Sequence, residues 1–223
     1  RWPQRRIHSP PPTSMLARSR AAATGGLWRV RCRRRPRCAA AVAAGDRSDP
    51  SVGTTRPDLA VVFVHPRIAE NTGTTARTCA AARVGLHLVE PLGFETTSPR
   101  LKRAGLDYWD AVHVSTHASF AAFLAAAAAA GPARFVAFST RGNTHYATPG
   151  LYTPPAGGTT YLLFGAETTG LPEAAHEAAA AAGAVVRLPA SRAHVRSLNV
   201  AVTAGVGVYE ALRQIDGCDG PLE

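Results

Sequence analysis

Between Leu59 and Ile215 short apolar runs of strand length alternate with helical segments, and this alternation leaves few folds open to the chain. Leu59 to Val64 is an unbroken apolar run, the pattern of a parallel strand covered on both faces. A helix is predicted from about Thr72 to Val84, then a strand over Leu86 to Glu90. Ala111 to Val114 and Arg134 to Phe138 read as strands flanking an alanine-rich helix, Ala118 to Ala130, which Gly131 and Pro132 end. Thr160 to Phe164 and Ala184 to Leu188 are two further strands, separated by a helix after Pro172, and a last helix runs from about Leu198 to Ile215. The plan is α/β, with a mainly parallel sheet flanked by helices. Ligands of such sheets gather at the carboxyl ends of the strands.

The net charge of +10 suggests a nucleic-acid binder, but its distribution divides the chain. Residues 1–45 contain eleven arginines and no acidic residue, which leaves 14 basic against all 15 acidic side chains in the remainder. The basic segment is rich in Ala, Ser, Thr and Pro and has no apolar periodicity, so residues 1–45 are expected to be a disordered leader like an organelle transit peptide. A disordered RNA-binding tail is the alternative reading of the same arginines. The chain opens at Arg1 without a methionine; an incomplete gene product and a start at Met15 are both open. Residues 46–57 read as a linker, 58–216 as one domain with one core, and 217–223 as a tail.

Secretion is not expected, because the leader has no apolar core of the kind a signal needs, nor is membrane spanning, because no run of about 18 or more apolar residues appears. Cys32 and Cys38 fall in the leader, and Cys79 and Cys218 stand alone without metal-ligand spacing. A reduced compartment without structural metal follows. His113, His117, His145, His176 and His194 are scattered and read as surface or satisfied core residues.

Three polar clusters sit at predicted strand ends. In the first, Asn71-Thr-Gly-Thr-Thr-Ala-Arg77, Asn71 is placed to cap the helix and Gly73 to allow close backbone approach. Arg77 leans toward the helix start, where it and the free amides would favour an anion; a capped helix with a surface arginine is the plainer account. In the second, Phe164-Gly-Ala-Glu-Thr-Thr-Gly-Leu-Pro172, two glycines five apart precede a proline that can open a helix. Such a loop can wrap a small ligand with main-chain groups, but it lacks the residues of a phosphate-binding loop or a dinucleotide fingerprint. Glu167 there either binds something or orders the loop by accepting main-chain amides. In the third, Arg196-Ser-Leu-Asn199 runs toward Tyr209-Glu-Ala-Leu-Arg-Gln214, with Ser197 at a helix-cap position. One side of that last helix is small (Ala201, Ala204, Gly205, Gly207, Ala211), so either its own sheet or a second subunit could pack close.

In this order the clusters resemble the three motifs of the SPOUT (knotted α/β) RNA methyltransferases. The resemblance runs from Leu59 to Gln214 and is nearest to the branch that methylates the wobble ribose of tRNA. Val89-Glu-Pro-Leu-Gly-Phe94 and Leu101-Lys-Arg-Ala-Gly-Leu-Asp-Tyr108 look like signatures of that branch. The resemblance implies a C-terminal trefoil knot, S-adenosyl-L-methionine as cofactor, tRNA as substrate, and a homodimer through the C-terminal helix and knot region. It implies a catalytic group of Arg77, Asn71, Ser197 and Asn199. Cofactor contacts would come from Phe138, Thr140, Gly165, Glu167, Gly170, Leu188, Ser197 and Leu198. RNA contacts would come from Arg77, Arg100, Lys102, Arg103 and Arg196, with Arg67, Arg141 and Arg192 also in or beside loops. For Arg100, Lys102 and Arg103 a solvated helix face is the competing account.

Two positions depart from the family pattern: Ala201 and Val202 stand where Ser and Asn are common. They bear on the choice of substrate more than on methyl transfer. The function implied is S-adenosylmethionine-dependent methylation of a ribose 2'-hydroxyl in tRNA. Methylation of rRNA or of another tRNA ribose, and a non-catalytic RNA-binding or assembly role, are the alternatives. Localisation to an organelle, the chloroplast stroma in preference to the mitochondrion, is expected from the leader and the resemblance.

Overall fold

The computed structural model describes residues 55–95, 112–191, 193 and 195–217, all within the compact unit Arg47–Glu223. The leader, Arg100, Lys102, Arg103, Tyr108, Arg192, His194 and Cys218 therefore lie outside the described residues. In chain order the elements are β1 (Leu59–Val64), α1 (Ala69–Ala82), β2 (Gly85–Val89), β3 (Val114–His117), α2 (Phe120–Ala130), β4 (Ala133–Phe138), β5 (Thr144–His145), β6 (Thr159–Phe164), α3 (Glu173–Ala182), β7 (Gly183–Arg187) and α4 (Val200–Asp216). The strands form one sheet in the order β3-β2-β1-β6-β4-β7-β5, and every pairing is parallel.

Helices cover both faces, which is why the central strands read as unbroken apolar runs. On one face Leu59, Val61 and Phe63 of β1 pack with Ala76 and Cys79 of α1 and with Ala204, Val208 and Ala211 of α4. On the other, Ala60, Val62 and Val64 pack with Phe120, Phe123 and Ala127 of α2 and with Ala175 and Ala179 of α3. The small side of the last helix thus meets its own sheet: a Cβ on Gly207 would stand 2.6 Å from Phe138 Cζ. The 55–58 segment joins this core. Arg56 pairs with Asp58 at 2.7 Å and with Asp216 at the end of α4 at 2.8 Å, so the packed domain takes in part of the predicted linker.

Several expectations are corrected. The strand expected at Ala111–Val114 begins at Val114 and runs to His117; as an edge strand paired with β2, it is mostly polar (Val-Ser-Thr-His) and carries no apolar run. The two-residue β5 had no sequence signal. α1 starts at Ala69, with Ile68 as its cap position and no side-chain cap, so Asn71 lies inside the first turn. α4 is capped by Asn199, whose Oδ1 accepts from the Ala201 and Val202 amides at 2.8 and 3.3 Å. Ser197 lies two residues upstream, exposed.

Candidate active site

A cavity of about 990 Å³ opens where the chain leaves β4, β6 and β7 and where α1 and α4 begin. This is the edge of the sheet at which the strand order turns back on itself, where ligand crevices of open parallel sheets form. Its floor is aromatic. Phe138, which ends β4, stacks on Phe164, which ends β6, with ring centroids 4.7 Å apart, and Tyr152 stacks beyond Phe138 at 6.4 Å.

The loop after β6 forms one wall and folds back on itself. Ala166 and Gly170 exchange main-chain hydrogen bonds of 3.2 and 2.8 Å, so the backbone must pass very close to Gly165. A Cβ on Gly165 would lie 2.1 Å from the carbonyl carbon of Gly170, so no other residue fits there. Gly170 has φ +73°, the region where glycine carries no steric cost, and nothing lies within 4 Å of its missing Cβ. Its main chain is therefore bare toward the cavity.

Three side chains from the three clusters lock these walls together. The Glu167 carboxylate accepts from the main-chain amides of Arg67 (2.9 Å) and Ile68 (3.3 Å) and from Asn71 Nδ2 (2.9 Å). Asn71 Oδ1 accepts in turn from Asn199 Nδ2 at 3.0 Å, and Asn199 caps α4 through its other amide atom. Each link pairs a donor with an acceptor, leaving no like groups opposed. The chain Glu167–Asn71–Asn199 ties the β6 loop, the start of α1 and the start of α4, its two links spanning 96 and 128 residues of sequence. Glu167 thus does the loop-ordering work that was one of its two readings, and Asn71 is buried while doing it.

Of the residues singled out in the sequence, Asn71, Phe138, Thr140, Gly165, Glu167, Gly170, Leu188, Arg196, Ser197, Leu198 and Asn199 all line the cavity. Arg77 does not; it is exposed on the outer side of α1. Arg67 is exposed and contributes its amide to Glu167, while Arg141 is held by Glu173 at 2.9 Å. Ile68, Ser139 and Arg187 also line the cavity and had not been singled out. Ser139 and Arg187 lie at the carboxyl ends of β4 and β7, where the strand-end rule places ligands, whereas Ile68 carries no sequence signal. Among the described residues no cluster of three or more His, Cys, Asp or Glu could hold a metal ion, and no helix is long and apolar enough to cross a membrane.

A model of the SpoU rRNA Methylase family matches residues 58–209. The chain belongs to this family. A tRNA (cytidine(34)-2'-O)-methyltransferase from Burkholderia pseudomallei is 42% identical over 158 residues, 69% of this chain and 94% of the relative. Among solved structures, one concerned with the 2-OH methylation of C/U34 on tRNA is 45% identical, with a TM-score of 0.63 over 72% of this chain and 98% of its own. The AdoMet-bound rRNA methyltransferase from Sinorhizobium meliloti is 30% identical, with a TM-score of 0.60 over 73% of this chain and 59% of its own. The SpoU fold and the cavity thus coincide: the matched span contains the residues of the lock, Asn71, Glu167 and Asn199.

Proposed function

We propose that this SpoU-family chain is an S-adenosylmethionine-dependent tRNA methyltransferase acting on the 2'-hydroxyl of the wobble ribose. The observation that carries the reading is the cavity itself, built by all three clusters and held by Glu167, Asn71 and Asn199, in a chain 42% identical to a tRNA (cytidine(34)-2'-O)-methyltransferase.

The residues present fit the cofactor. The volume is ample for a molecule of that size, the floor of Phe138 and Phe164 with Leu188 and Leu198 is apolar, and Gly170, with no side chain in the way, lets a ligand lie close against the loop. Phe138, Thr140, Gly165, Gly170, Leu188, Ser197 and Leu198 would hold it, with Glu167 acting through the loop. S-adenosylmethionine supplies an already activated sulfonium methyl. What remains for the protein is to orient a ribose hydroxyl and assist loss of its proton. The Arg77 guanidinium is suited to clamp a phosphate next to the target and to stabilise the developing alkoxide. Arg196, at the cavity, adds a second cation for RNA.

The finer parts of the reading have their own supports. A homodimer through α4 is favoured by Val202 and Tyr209, exposed at 56 and 57% and seven residues apart on one face of α4, with Leu198, just before the helix, 41% exposed. The trefoil knot belongs with the family resemblance. Chloroplast targeting rests on the arginine-rich, acid-free residues 1–45, and import of a fluorescent protein carrying them into isolated chloroplasts tests it.

The deciding experiment is methyl transfer by the purified protein from labelled S-adenosylmethionine to undermodified organellar tRNA and rRNA, with the product nucleotide mapped. Label on the wobble ribose is expected. Label in rRNA or elsewhere in tRNA moves the target, and absence of cofactor binding overturns the enzyme reading. Arg77→Ala is expected to abolish turnover while cofactor affinity stays within a few-fold; near-normal methylation would remove Arg77 from the site.

A further inference from the structure

His176 is buried in α3, with both ring nitrogens engaged. Nδ1 lies 3.2 Å from the main-chain oxygen of Pro172, and Nε2 lies 3.0 Å from Ser139 Oγ. A carbonyl has no proton to give, so Nδ1 carries the hydrogen, and in the neutral ring Nε2 is left as an acceptor for the Ser139 hydroxyl. Ser139 Oγ accepts in turn from the Arg141 amide at 3.2 Å, and the Ser139 amide donates to Val186 of β7 at 2.9 Å.

Ser139 lies between Phe138 and Thr140, and all three line the cavity. The hydroxyl is therefore the point at which α3, behind the sheet, grips the cavity wall that follows β4. The neighbouring Arg141–Glu173 pair joins the same two segments, but both side chains are more than 60% exposed, so the ion pair contributes little. The buried imidazole is the stronger tie, because a buried donor or acceptor left without its partner is costly.

We propose that His176 is a positioning residue for the cofactor cavity, fixing Ser139 and with it the Phe138–Thr140 wall against which S-adenosylmethionine binds. The proposal rests on the reading of the cavity as the cofactor site and adds a residue that touches neither cofactor nor RNA. Its effect belongs on cofactor affinity and not on the methyl-transfer step.

The test uses the full chain with Ser139→Ala, His176→Leu and His176→Gln. Cofactor affinity is read by calorimetry, turnover at saturating cofactor by label transfer, and the imidazole tautomer from histidine proton–nitrogen NMR spectra, with the His176 signal assigned by its loss in His176→Gln. Ser139→Ala and His176→Leu are expected to weaken S-adenosylmethionine binding about five- to tenfold, the scale of one net hydrogen bond, with kcat of His176→Leu within about twofold of the parent. His176→Gln, which keeps one donor and one acceptor, is expected to recover most of the affinity. The spectrum of the parent is expected to show the proton on Nδ1. Unchanged affinity in both Ser139→Ala and His176→Leu, or a proton on Nε2, overturns the proposal. If His176→Leu fails to fold, Ser139→Ala probes the same bond from its other end. If the parent chain itself binds no S-adenosylmethionine, the cofactor reading fails and the proposed role falls with it, whereas a parent that binds normally beside unaffected variants condemns the role of His176 alone.

Discussion

Glu167 shows how one side chain in a cavity wall can hold the site's segments together. Its two oxygens accept three hydrogen bonds from the residues that open α1, a service that local capping residues usually perform. A carboxylate at a helix start is also favoured by the helix dipole. Glu167→Gln keeps the size but sets an NH2 group against an N–H donor. The loss expected is about 1–3 kcal/mol, read by urea unfolding, together with weaker S-adenosylmethionine binding; unchanged stability would mean the loop is anchored elsewhere. Asn71→Asp is a sharper probe, because it places a second carboxylate where Asn71 Nδ2 now donates to Glu167 at 2.9 Å. Two such groups cannot both ionise comfortably. The variant is therefore expected to unfold at lower urea than Glu167→Gln, and the difference should shrink as the pH is lowered and the pair takes up a proton.

At the level of elements, α4 carries the most consequence per residue. Gly207 presses on the Phe138 ring, which cannot retreat because Phe164 and Tyr152 stack on either side of it. Gly207→Ala should raise helix propensity by about 1 kcal/mol, yet the overpacking it forces is of order 1–3 kcal/mol. Net destabilisation and weaker cofactor binding are expected, measured by thermal unfolding and calorimetry; a stabilised variant with normal affinity would show that the ring yields. The same elements mark where sequence reading succeeds. β1, β4 and β6 were legible because burial on both faces makes them continuous apolar runs, and the strand-end rule then led to their carboxyl ends, while Phe138, Gly165 and Leu188 were named by the family resemblance. β3 was misplaced because an edge strand has no such run. The start of α1 was placed three residues late because its cap comes from Glu167, about a hundred residues away, and no local pattern announces a distant cap. Ser197 and Asn199 are both good capping residues, and only the backbone path decides between them.

Across the whole domain the two cores differ in their response to acid. The one under α1 and α4 is apolar apart from a few threonines and Asn71, whereas the one under α2 contains His87, packed against Phe123 and Tyr161 and bonded through Nδ1 to His117 Nε2 at 2.9 Å. Burial, with smaller contributions from His117 and His113, lowers the His87 pKa from 6.5 to about 4, and burial lowers that of His117 as well. The folded state thus resists a proton that the unfolded chain accepts near pH 6.5. Between about pH 6.5 and pH 4 the unfolded chain binds more protons, so stability is complete above that window and declines as the pH falls through it. A shift of that size corresponds to roughly 3 kcal/mol. The carboxylates of Asp58 and Glu210 have their pKa values lowered by Arg56 and Arg213, respectively, and give up their stabilisation only at still lower pH, below the ordinary carboxylate range. The two effects therefore separate along the pH axis. Urea unfolding of the full chain from about pH 7.5 to about pH 2.5 should show the decline beginning near pH 6.5, and His87→Phe, which suits the aromatic surroundings, should flatten that part of the curve while leaving the further fall at lower pH. A variant curve parallel to the parent's throughout would assign the acid sensitivity to other groups.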